Sequence, residues 1–99
     1  MKLPIDDAAL AQVCQQFHIQ RLAFFGSVLR SDFHSASDVD VLVEFAPEAQ
    51  PDFIQLYDLD MQLSYLFAGR SIDLVTFAAL DPLVRDNILN QAVIYYEQR

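Results

Sequence analysis

A chain of 99 residues, 54% of them hydrophobic, is long enough for one domain around a single core, expected to span residues 1–99. Its lone cysteine, Cys14, excludes an internal disulfide framework or multi-cysteine metal site, and no stretch approaches the roughly 20 apolar residues of a membrane span. The formal charge is −8 and the six cations (Lys2, Arg21, Arg30, Arg70, Arg85 and Arg99) are scattered, which disfavours a nucleic-acid backbone and favours a divalent cation or a basic partner protein.

The opening stretch Met1-Lys2-Leu3-Pro4-Ile5-Asp6-Asp7 lacks the long apolar region of a secretion signal, so a cytoplasmic chain is expected. Asp6 to Phe17 reads as a helix, because Leu10, Val13, Cys14 and Phe17 recur at i, i+3, i+4 and i+7 as one apolar stripe. Asp6 and Asp7 suit its positive N-terminal end, His18 is expected to end it, and Cys14 is expected in the core. Leu22 to Phe25 then reads as a short buried strand closing at Gly26. From Asp38 to Phe45 the alternation is clean: Val39, Val41, Val43 and Phe45 make a core face, while Asp38, Asp40, Leu42 and Glu44 point the other way.

Beyond a loop bracketed by Pro47 and Pro51, Asp52 is expected to cap a helix reaching Ala68. Leu56, Leu59, Leu63, Leu66 and Phe67 form its stripe, and Gly69 stops it. Ile72 to Thr76 reads as a third strand. Asp81-Pro82 opens a last helix expected to run to about Glu97, with Leu89, Ala92, Val93 and Tyr96 along one side. Strands alternating with helices predict an α/β (α+β) fold, a small mixed three-stranded sheet covered by helices. If Gly26-Ser27 ends the first strand and Asp38 begins the second, the two meet at one edge only when those strands are antiparallel. Asp73 joins them if the third strand runs parallel to the second, with the helix from Asp52 to Ala68 as a right-handed crossover.

Asp38 and Asp40, two apart on a strand, set two carboxylates side by side. Burying such a pair unpaired is costly, and a hard divalent cation such as magnesium removes the penalty. Asp-x-Asp by itself more often marks a solvated face. Twelve residues before Asp38, however, a strand ends in Gly26-Ser27, with Arg30 close behind. Glycine admits close backbone approach, N–H groups opening a helical turn attract anions, and a serine hydroxyl and an arginine fork suit phosphate. Taken singly, these are a turn glycine, a capping serine and a surface arginine; the joint arrangement is what speaks for a phosphate cradle. Asp73 sits between Ile72 and Leu74 and faces away from both. Three converging carboxylates beside such a cradle are what two-metal phosphoryl or nucleotidyl transfer needs.

Phe25-Gly26-Ser27-Val28-Leu29-Arg30 and Ser37-Asp38-Val39-Asp40-Val41-Leu42-Val43-Glu44-Phe45, separated so that ten residues lie between Ser27 and Asp38, resemble the GSx10DxD signature of the DNA polymerase beta-like nucleotidyltransferase superfamily. With its short length, and with a late strand at Ser71–Thr76 and a helix at Leu83–Tyr96, the chain is similar almost throughout to the minimal nucleotidyltransferase (MNT) family. The resemblance implies a nucleotidyltransferase fold in which Gly26, Ser27 and the adjacent backbone hold the triphosphate of ATP. Asp38 and Asp40 would bind magnesium, two ions in all, and Asp73 would complete the metal site and act as, or position, the base. Arg30 matches a frequent arginine of the family, but Ser31 stands where many members have glycine.

The minimal family is similar to the antitoxin half of HEPN/MNT pairs, which implies transfer of AMP from ATP to a tyrosine of a HEPN ribonuclease toxin. The acidic chain, with no second domain for the acceptor, suits a basic partner that supplies part of the site. Tyr57, Tyr65, Tyr95 and Tyr96 are candidate interface residues or half-buried core residues. Two alternatives stay open: an antitoxin that acts by occlusion alone, and a nucleotidyltransferase acting on a small-molecule hydroxyl. His34, in the loop between the motif halves, is a candidate phosphate contact.

Overall fold

The computed structural model describes residues 5–30, 33–34 and 37–98. The stretch before Ile5, with Lys2, and also Ser31 and Arg99, lie outside them. Helix α1 (Asp7–Gln16) begins where Asp6 caps it, its carboxylate accepting from the N–H of Ala9 at 3.1 Å. His18 follows its end with a left-handed φ of 57°. Strand β1 (Ile19–Phe25) starts three residues before the apolar run that reveals it, and a 3-10 turn over Gly26–Leu29 closes it. Strand β2 (Val39–Phe45) and helix α2 (Phe53–Leu66) match their expected spans to within two residues. Asp52 and Gln55 form a reciprocal capping box at the start of α2, and Gly69, with φ +85°, stands in the turn beyond its end. Strand β3 (Ile72–Thr76) lies where the sequence puts it.

The last helix is shorter than expected. Helix α3 (Pro82–Gln91) stops at the Ala92 cap, and Val93–Glu97 forms a fourth strand, β4. The sheet is therefore four-stranded, in the order β3-β2-β1-β4, not three-stranded. The period that placed Leu89, Ala92, Val93 and Tyr96 on one stripe competes with the strand preference of Val93-Ile94-Tyr95-Tyr96, a β-branched and aromatic run. Tertiary context decides: β1 pairs with β2 on one side only, and its other edge needs a partner for its N–H and C=O groups. β4 fills that edge antiparallel, with Leu22 opposite Tyr96 and Ala23 opposite Ile94 across a bulge. Tyr95 then meets Phe24 edge-on at 5.0 Å.

The remaining pairings follow the predicted directions. β1 and β2 are antiparallel, with Phe25 opposite Asp40. β2 and β3 are parallel, with Asp40 opposite Asp73. The core lies between the sheet and helices α1 and α2: Val39, Val41 and Val43 are fully buried with Leu22, Phe24, Leu10, Cys14, Leu59 and Leu63. On the opposite face Ala23 and Leu42 are buried too, and the turn Phe77–Ala79 lies against β2. Phe77 is held between two guanidinium groups, Arg85 at 4.5 Å and Arg21 at 5.5 Å. α3 buries none of its residues. Among the described residues no helix is long and apolar enough to cross a membrane.

Candidate active site

Gly26 turns the chain out of β1 with φ +73°, a conformation that L side chains rarely adopt. It also lies hard against β2, where a Cβ at this position would overlap Oδ2 of Asp40. The glycine is thus required twice, by its dihedral and by the carboxylate beside it. The next residue binds both halves of the motif together. The Ser27 N–H donates to the Asp40 carboxylate, and Ser27 Oγ donates to the backbone carbonyl of Asp38 at 3.2 Å. The Arg30 N–H closes the turn on the Ser27 carbonyl at 3.0 Å and leaves the arginine exposed.

Asp40 and Asp73 are register partners on adjacent parallel strands, so their carboxyl groups share one face of the sheet. The Asp73 side chain lies close enough to act on Asp40 through its charge and a side-chain hydrogen bond. Burial raises Asp40 above the usual carboxylate range, and the neighbouring Asp73 charge, that shared hydrogen bond and Asp38 push the same way; only the Ser27 N–H opposes them. Asp38 sits exposed just before β2, and Asp73 is exposed as well.

The structure thus gathers Gly26, Ser27, Asp40 and Asp73 at one edge of the sheet, with Asp38 adjoining through its backbone. Among the described residues no three His, Cys, Asp or Glu side chains converge as a preformed metal site. The donors on offer are hard carboxylate oxygens, of the kind magnesium takes. His34 lies in the loop as expected; its backbone N–H donates to Ser37 Oγ at 3.1 Å and its carbonyl accepts from the Ser37 N–H at 3.0 Å. Arg70, which nothing in the sequence singles out, reaches the same loop. A cleft of about 420 Å³ lined by Glu44, Pro47, Leu56, Thr76 and Phe77 opens at the far end of β2 and β3, away from the carboxylates.

Of the interface candidates, Tyr57 and Tyr65 are 68% and 85% exposed, while Tyr95 and Tyr96 pack partly buried against the core. Phe53, Ile54 and Met61 extend the exposed tyrosines into an apolar band along α2 that the sequence reading did not single out. The period-four spacing of Phe53, Tyr57, Met61 and Tyr65 was a visible signal for it.

Residues 9–99 match the family described as Polymerase beta, Nucleotidyltransferase. The chain is 36% identical over 77 residues to a protein of Methanocaldococcus jannaschii assigned as a protein adenylyltransferase, covering 76% of this chain and 77% of that one. Its fold is similar to that of a chain in the crystal structure of a toxin–antitoxin with AMP-PNP, with a TM-score of 0.75 at 18% identity over 96% of this chain and 76% of that one. It is likewise similar to a chain in the structure of a tri-AMPylated Shewanella oneidensis HEPN toxin in complex with MNT antitoxin, with a TM-score of 0.65 at 18% identity over 93% and 70%. The family match over residues 9–99 and the 36% identical relative, with a mixed sheet of the same fold, place the chain in the polymerase beta nucleotidyltransferase family, as an enzyme of its minimal (MNT) branch.

Proposed function

We propose that this chain is the antitoxin of a HEPN/MNT pair, a magnesium-dependent adenylyltransferase that moves AMP from ATP onto a tyrosine hydroxyl of a HEPN-type ribonuclease and silences it. The observation that carries the reading is the pairing of Asp40 with Asp73 beside the Gly26-Ser27 turn. In the transfer, the tyrosine oxygen attacks the α-phosphorus of ATP, the bond to the bridging oxygen breaks, and pyrophosphate leaves with the electron pair. A free phenol has a pKa of about 10, so its proton needs an acceptor, and in this reading the exposed Asp73 takes it or positions the group that does. Ser27 and the N–H groups of the turn hold the triphosphate, with Arg30 at the end of the turn as a further contact.

Asp38, Asp40 and Asp73 are the residues that would hold magnesium, which when bound supplies charge neutralisation at the phosphates and acidifies the attacking hydroxyl. The reading gains support from relatives assigned as protein adenylyltransferases and from the AMPylated HEPN toxin found beside an MNT antitoxin of similar fold. Charge and surface agree with it. Helices α1 and α2 contain no cationic residue, and the band Phe53, Tyr57, Met61 and Tyr65 offers apolar area to a basic partner. In this reading the protein is cytoplasmic and contacts neither nucleic acid nor membrane directly.

Labelled ATP, magnesium and a HEPN-type protein encoded beside this chain test the proposal. Label should appear on the partner, and Asp38→Ala/Asp40→Ala should abolish it along with neutralisation. A double variant that still neutralises the partner fully, with no label transferred by the native chain, would leave occlusion as the mechanism.

A further inference from the structure

Asp38 is an exposed residue at the mouth of a loop, yet its backbone is gripped from several sides. Ser27 Oγ donates to its carbonyl, and the next residue, Val39, donates its N–H to the carbonyl of Ser71 at 2.9 Å. The preceding residue, Ser37, donates its N–H to the carbonyl of His34, and that same carbonyl accepts from Arg70 Nη1 at 3.0 Å. The Arg70 guanidinium also lies over the Phe33 ring at 4.7 Å, and Phe33 packs against the core. Residues 70 and 71 therefore hold the chain on both sides of Asp38.

Arg70 is itself well anchored. Its carbonyl accepts from Ser64 Oγ at 2.6 Å and its N–H donates to Phe67, both from the end of α2, while Gly69 makes the turn in between. We infer that Arg70 is a positioning residue for the nucleotidyl-transfer site: it ties the loop joining the two motif halves to the α2–β3 turn and so sets Asp38 against Ser27. This rests on the functional reading above for its meaning, since the tether matters to chemistry only if Asp38 and Ser27 hold a metal and a triphosphate. Arginine suits the task because one planar group donates to a carbonyl and stacks on a ring together.

The test compares the native chain with Arg70→Ala, Arg70→Lys and Phe33→Leu by amide hydrogen exchange at Ser37 and Val39, and by calorimetric titration with Mg-AMP-PNP. Arg70→Ala should keep the native circular dichroism, speed exchange at Ser37 about tenfold and weaken the nucleotide about tenfold. Arg70→Lys should recover only part of each effect, because lysine lacks the planar face. Phe33→Leu, which keeps the apolar packing, should move both readouts the same way by a smaller factor, and it decides the matter should Arg70→Ala fail to fold. Unchanged exchange overturns the inference, as does faster exchange with unaltered affinity. Weaker affinity with unaltered exchange also overturns it and would make Arg70 a direct nucleotide ligand. A native chain that never binds Mg-AMP-PNP would sink the functional reading instead, leaving the exchange comparison to decide whether the tether exists.

Discussion

Asp40 is the residue on which most of the site converges: Gly26 abuts it, Ser27 donates to it, and Asp73 lies beside it as its register partner. Its raised pKa has a sign that can be measured. Above the usual carboxylate range the unfolded chain has released this proton while the folded chain still holds it, so folding binds protons there and stability falls as pH rises through that window. In chelator-treated protein, urea denaturation across that range should show this loss, and Asp40→Asn should flatten it and leave the metal-free chain more stable on the alkaline side. An unaltered pH profile in Asp40→Asn would mean that the strain lies elsewhere. The spacing of Gly26, Ser27, Asp38 and Asp40 could be read directly, because the motif is local and its residue types are few. Arg70 could not, since its partner is a carbonyl on His34, far along the chain, and a carbonyl leaves no mark in a sequence.

At the level of elements, the same contrast separates what was legible from what was not. Asp52 with Gln55, and Asp81 with Pro82, announce two helix starts through side-chain chemistry within a few residues, and both stand where expected. The strand directions followed from requiring Ser27, Asp38 and Asp73 to meet. β4 escaped because its run satisfies a helical and a strand period equally, and only the open edge of β1 decides between them. That edge strand contributes to the core through Tyr95 on Phe24. Tyr95→Ala should cost about 1–3 kcal/mol in chemical denaturation, with Mg-AMP-PNP affinity largely kept, because the ring lies on β4, at the opposite edge of the sheet from Asp73 on β3.

The whole molecule has two working sides. The carboxylates project from one face of the sheet, while α2 covers the other with Leu59 and Leu63 inward and Phe53, Tyr57, Met61 and Tyr65 outward. The α2 band is separate from the carboxylates, and none of its residues belongs to the site. Tyr57→Glu/Tyr65→Glu should therefore weaken association with a HEPN-type partner at least about tenfold in a binding titration while leaving Mg-AMP-PNP binding as it was. Association of the native pair should slow as salt is added, given the charge of −8 and the absence of cations on α1 and α2.

Cys14, wholly enclosed between α1 and the sheet, has its thiol pushed by burial up to about 12. Thiolate is the reactive species, so the native chain should ignore an alkylating reagent at pH 8, and labelling should await the opening of the core. Each molecule thus carries one built-in clock: the modification rate at Cys14, followed by mass, times how often the interior is laid open. Any ligand that grips the folded form should slow that clock by the factor its binding predicts, which makes one silent sulfur a means of weighing nucleotide and partner alike without a label on either.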